Sequence, residues 1–162
     1  WIMSLGSTGL KEAANAAVLN NNYILKKVKE IKGASAPYAK GKHRIDQVRF
    51  SWQKLTEETG ITTEDVTYRM ADLGFHLWSS HHPFIVPQPF TIEPTESYSK
   101  DEIDEYIAGL KKVVEEAYTE PEKVKAAPHS SVVHKIDQST LDDPEKWAIT
   151  WRAHLKKHEK DA

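Results

Sequence analysis

The order in which helical and extended patterns alternate along these 162 residues predicts an α/β (α+β) domain, a small, mostly antiparallel sheet covered by helices. Three observations carry the prediction. Amphipathic helical repeats occupy both halves of the chain, a proline-punctuated stretch from Asp72 to Ser99 separates them, and no glycine-rich strand-turn-helix fingerprint asks for a parallel nucleotide-binding sheet. The separating stretch holds four of the eight prolines and three of the eight histidines. Proline lacks an amide donor and clashes with the turn before it. Its short apolar pieces, Pro83-Phe84-Ile85-Val86 and Phe90-Thr91-Ile92-Glu93, therefore read as strands that Pro87 and Pro89 keep at a sheet edge.

Taken in order, Gly6-Ser7-Thr8-Gly9 reads as the cap of a helix from about Leu10 to Ile31; the glycine spacing is not that of a phosphate loop. Leu10, Ala14, Ala17, Ile24, Val28 and Ile31 recur at steps of three and four as its buried stripe. Asn20-Asn21-Asn22 interrupts that stripe, so either the helix bends there or these side chains face an interface. Residues 32–42 read as a loop, and Ile45, Val48, Phe50 and Trp52 as an incomplete strand alternation with Arg44, Asp46, Gln47 and Arg49 on the wet side. Thr62-Thr63-Glu64-Asp65 opens a helix whose core face is Val66, Met70 and Leu73 and whose left-handed stop is Gly74.

Beyond the proline-rich stretch, Ser99-Lys100-Asp101-Glu102 is a capping box. The helix it starts buries Ile103, Ile107, Leu110 and Val114 and leaves Lys111, Lys112, Glu115 and Glu116 in solvent. Glu120-Pro121-Glu122 opens a short further turn, Ser130 to Ile136 reads as an edge strand, and Asp143-Pro144 begins a terminal helix with a Trp147, Trp151, Leu155 seam. The organisation expected is a single domain over 1–162, with a long first helix over 1–32, a sheet-and-helix core over 33–140 and a C-terminal helix over 141–162. Trp1-Ile2-Met3-Ser4-Leu5 is apolar enough to want a partner and points to a piece of a longer chain.

Composition narrows the function. Basic and acidic groups balance, 22 against 24, so no net field favours nucleic acid or an anionic membrane. Without cysteine there is no disulfide, thiolate metal site or cysteine nucleophile, and a reducing cytosol is the simplest host. No apolar run approaches a membrane span. His76, His81, His82, Glu93 and Glu96 match no recognised zinc spacing, and hydrogen-bonded loop histidines are the better reading. No G-x-S-x-G elbow is present, nothing announces a sugar cleft for a Glu93/Glu96 acid and base pair, and the five tryptophans read as core or interface anchors.

One ordered set of motifs goes further. Gly6 to Ala13 (G-S-T-G-L-K-E-A), Val18 to Tyr23 (V-L-N-N-N-Y), Gly74 to His76 (G-F-H), Ile92 to Ser97 (I-E-P-T-E-S) and Ala127 to His129 (A-P-H) resemble, in order and approximate spacing, the C-terminal region of the glycine-decarboxylating P-protein of the glycine cleavage system. The segment Ser79 to Phe84 departs from the small apolar residues common in that family. The resemblance implies the C-terminal domain of a fold-type-I pyridoxal-phosphate enzyme, which decarboxylates glycine and passes the aminomethyl group to the lipoyl arm of the H-protein. It implies that the cofactor lysine lies upstream, that neither covalent cofactor, metal nor a complete catalytic site resides here, and that the isolated piece is inactive. It also implies one wall of the active-site cleft, with His76, Glu93, Thr95 and Glu96 as pocket or hinge residues and His129 beside them. Pro94-Thr95-Glu96-Ser97 is equally readable as a turn feeding the Ser99 cap. The competing reading is a stand-alone interaction module that docks through Trp1 to Leu5 and the terminal helix.

Overall fold

The computed structural model of the chain describes residues 1–41, 43–45, 47–76, 85–135, 150–152, 155 and 158. Two compact units emerge, Trp1–Val132 and Val133–Ala162. The first contains α1 (Ile2–Lys29), β1 (Val48–Ser51), α2 (Gln53–Thr59), α3 (Thr63–Asp72), β2 (Pro89–Ile92), α4 (Lys100–Thr119) and α5 (Pro121–Lys125).

α1 begins earlier than its apolar pattern. Trp1 offers its carbonyl to the amides of Ser4 and Leu5, and a first turn forms before Gly6 breaks the run at φ 62°, ψ −171°. Only glycine takes that conformation without strain, so the expected cap sits inside a longer helical segment. The buried stripe is shorter than expected: Ala14 is exposed, and full burial starts at Asn21 and continues through Ile24, Leu25 and Val28. The asparagines do not break the helix, whose only non-helical residue is Gly6.

β1 and β2 pair antiparallel in the register Val48↔Ile92 and Phe50↔Phe90, which sets four apolar side chains on one face. The rings of Phe50 and Trp52 both stack on Phe90, with centroids 5.1 and 4.5 Å away. All three are wholly buried. Ser35 bridges Ser51 and ties the 32–41 loop to the sheet. On the opposite face Arg49 donates to the Thr91 hydroxyl. The helices complete this core with Leu55, Val66, Met70, Ile103, Ile107, Leu110 and Val113.

Local signals held where they were complete. Thr62 with Asp65 and Ser99 with Glu102 form reciprocal capping boxes, and Gly74 stops α3 at φ 84°. α2 was not foreseen, because its seven residues bury only Leu55, and three further expectations are corrected. Ser130 to Ile136 is not a strand in its described part: residues 130–135 have neither helix nor strand, and Ser130 is folded back onto Asp72. Ile85 and Val86 form a turn and bend, not a strand; Pro83 and Phe84 lie outside the described residues. Glu116, expected in solvent, is buried on α4.

Among the described residues Trp52 is the one tryptophan in the core. Trp1 and Trp151 are each 71 % exposed and Leu155 is exposed, so the described members of the terminal seam lie at the surface of the second unit. Trp78, Trp147 and the Asp143-Pro144 cap lie outside the described residues.

Candidate functional site

The segment that follows β2 is held from behind. Asn20, on α1, donates its amide to the carbonyls of Thr95 and Tyr98 at 2.9 and 3.0 Å, and Thr95 Oγ1 accepts the Ser97 amide. A backbone otherwise free to vary is thereby fixed across a 75-residue separation. Glu93, Thr95 and Glu96 point to solvent, and neither carboxylate has a hydrogen-bond or ion-pair partner among the described residues. The segment is a turn that feeds the Ser99 cap, and it presents both carboxylates to solvent.

Asn22 supports the other flank of α1. Its side chain accepts from the Arg44 amide at 2.9 Å and donates to the Arg44 carbonyl at 2.8 Å. Between them Asn21 is completely buried, with both side-chain polar atoms unpartnered among the described residues. Such burial is expensive.

His76 leaves α3 just after Gly74 and is exposed, with no partner among the described residues. His129 is tied to the same end of α3. The Asp72 Oδ1 atom accepts the His129 amide at 2.7 Å and the Ser130 amide and hydroxyl at 2.8 Å each, while Oδ2 accepts from Arg69 at 3.1 Å. Arg69 then forms a fork with Glu116, Nε to Oε2 at 2.7 Å and Nη2 to Oε1 at 3.0 Å. Lys123 reaches the same carboxylate at 2.9 Å.

The electrostatics follow from this packing. The Arg69 guanidinium, against the opposing effect of burial and with help from Lys123, holds the Glu116 carboxyl down at about 2. Burial would raise the Asp72 carboxyl, yet the amide and hydroxyl of Ser130, the amide of His129 and Arg69 together keep it below its usual value. Both acids are therefore fixed charges that order structure and are unsuited to carry protons near neutrality. No hydrogen bond links the Glu93–Glu96 segment to His76 or His129 among the described residues. These residues also contain no group of three or more His, Asp or Glu able to hold a metal; His81 and His82 lie outside them.

Sequence reading found the exposed side chains and missed most of those that hold them. Asn20 was visible as a polar interruption of an apolar stripe. Arg69 and Asp72 are spaced for an i,i+3 pair, but their tie to Glu116 has no local trace.

Comparison with known proteins adds an independent line. Residues 13–136 match the family described as glycine dehydrogenase, C-terminal domain. A protein of Pyrococcus horikoshii named probable glycine dehydrogenase (decarboxylating) subunit 2 is 41 % identical over 99 % of this chain, which covers 31 % of that protein. The similarly named protein of Staphylothermus marinus is 36 % identical over 97 % of the chain and is covered to 30 %. The chain thus spans about a third of the length of the curated relatives it matches. Among solved structures, the inhibitor-bound glycine decarboxylase (P-protein) of the glycine cleavage system superposes with TM-score 0.58 at 18 % identity, over 68 % of this chain and 23 % of that one. A NifS-like protein gives 0.52 at 12 % identity, over 65 % and 29 %. At those identities the two structures speak for the fold alone.

Proposed function

The chain belongs to the glycine dehydrogenase C-terminal domain family, and from that membership we propose that it forms one wall of the active-site cleft of a cytoplasmic, pyridoxal-phosphate-dependent glycine decarboxylase. The observation that carries the reading is the Asn20-pinned turn, which holds its backbone from within the domain and turns Glu93, Thr95 and Glu96 outward. A surface built this way is ordered before a partner arrives, which lowers the cost of shaping a cleft.

When bound, pyridoxal phosphate takes up the electron pair released as carbon dioxide leaves glycine. The described residues do not fit its covalent site. That site needs a desolvated amine, and none of the described lysines is buried; the cofactor is assigned to the rest of the enzyme. Glu93 and Glu96 then suit the task of receiving cationic or N–H-bearing groups at the cleft mouth, and His76 and His129 line its other side. The aminomethyl product passes along this wall to the lipoyl arm of the H-protein.

Reconstitution tests the proposal. Combined with the remaining part of the enzyme, the chain restores glycine-dependent carbon dioxide exchange; alone it has none. The exposed Trp1, Ile2 and Met3 side chains favour a second reading, an interaction module. That reading predicts binding without any such exchange.

A further inference from the structure

Four of the residues that order the candidate site form a closed circuit with His129. From the Asp72 carboxylate the contacts run to Arg69, then Glu116, then the Lys123 ammonium. The Lys123 backbone carbonyl lies 2.8 Å from His129 Nε2, and the His129 amide returns to Asp72 at 2.7 Å. The Asp72, Arg69 and Glu116 side chains are 2, 10 and 8 % exposed. His129 itself is exposed. Three buried charged groups and the part-exposed Lys123 therefore close on a surface imidazole and grip it twice, at the backbone and at one ring nitrogen.

A carbonyl oxygen can only accept, so the contact to Lys123 requires the proton on Nε2. Nδ1 has no partner among the described residues and keeps its lone pair. We propose that Asp72 is a positioning residue that aims His129, fixing it as the Nε2–H tautomer with Nδ1 as an open acceptor for an N–H donor in the adjoining cleft. The backbone grip places the Cα atom and the Lys123 carbonyl sets the ring, so neither the position nor the tautomer is left to solvent. A clamp that only tethered the 127–130 segment would be satisfied by the two amides and the Ser130 hydroxyl. It would leave the ring in the usual mixture of tautomers. The cleft in question is that of the proposed function, on which this assignment rests for its catalytic consequence but not for its geometry.

Two measurements separate the assignment from that reading. Long-range 15N–1H spectra of the 162-residue chain in mildly alkaline buffer are expected to show His129 as a single Nε2–H form. Asp72→Ala should return it to a mixture and shift the Ser130 amide, and Asp72→Asn, which keeps an acceptor oxygen, should restore the single form. If Asp72→Ala does not fold, Ser130→Ala is read instead and should partly release the tautomer. A single Nε2–H form that survives in each folded variant overturns the assignment. In the complete, reassembled enzyme, Asp72→Ala and His129→Ala should each lower kcat by roughly 10- to 100-fold with little change in KM, and the double variant should lose no more than either alone. Losses that multiply overturn it as well. Absence of glycine-dependent exchange in the unaltered assembly would instead count against the proposed function, with the tautomer spectra still deciding the role of Asp72.

Discussion

Arg69 on α3 and Glu116 on α4 meet as a two-bonded fork, at 2.7 and 3.0 Å, with both side chains about nine-tenths buried. Parallel N–H···O bonds of this kind fix orientation as well as distance. Removing one partner strands a buried charge. Glu116→Ala should therefore cost about 3 kcal/mol in urea unfolding, and the apolar pair Arg69→Met with Glu116→Leu should recover only part of that loss, because Asp72 then lacks its Arg69 bond.

The same carboxylate sets an acid limit. Its pKa falls from 4.5 to about 2 on folding. A depressed folded-state value contributes stability that is fully present above the unfolded value and is lost as pH drops from about 4.5 towards 2. The expected loss is about 3 kcal/mol. Asp72 is shifted in the same direction and adds to it. Glu116→Gln should flatten this acid limb in pH-dependent denaturation and leave the slope above pH 6 unchanged.

Asn21 makes a prediction of opposite sign. It is fully buried with both polar atoms unpaired among the described residues, so Asn21→Leu, which keeps the heavy-atom branching though it is larger, should raise stability by ~1–2 kcal/mol and Tm by a few degrees. Calorimetry of the 162-residue chain reads it directly.

Asn20 should act locally. Asn20→Ala frees two carbonyls of a surface turn that water can then reach, at a cost of about 1 kcal/mol. Hydrogen exchange at residues 95–99 should quicken while the α4 core keeps its protection.

These relationships explain what could be read from the sequence. α3 and α4 were legible at their starts because a capping box is complete within four residues, Thr62 with Asp65 and Ser99 with Glu102. β2 was found one residue from its true span, because proline and β-branched residues mark an edge strand. α2 lacked any second turn of apolar residues, and Ser130 to Ile136 had a strand's composition although its described residues, 130–135, form neither helix nor strand. Glu116 follows Val113 by one helical step, so the apolar stripe alone could not tell its buried flank from the solvated Glu115. The side chains of the site split the same way. His76, Glu93, Thr95, Glu96 and His129 stood in recognisable motifs, while the side chains that order the segments around them act across 47 to 78 residues, where periodicity carries no signal.

Glycine-dependent exchange of labelled carbon dioxide by the reassembled enzyme is the most direct measure of whether this domain shapes the cleft. With the fold verified unchanged, His76→Ala and Glu96→Gln should each reduce the exchange at least about tenfold, and omission of the chain should abolish it. Exchange at full rate without the chain, or with both substitutions in place, would contradict the account.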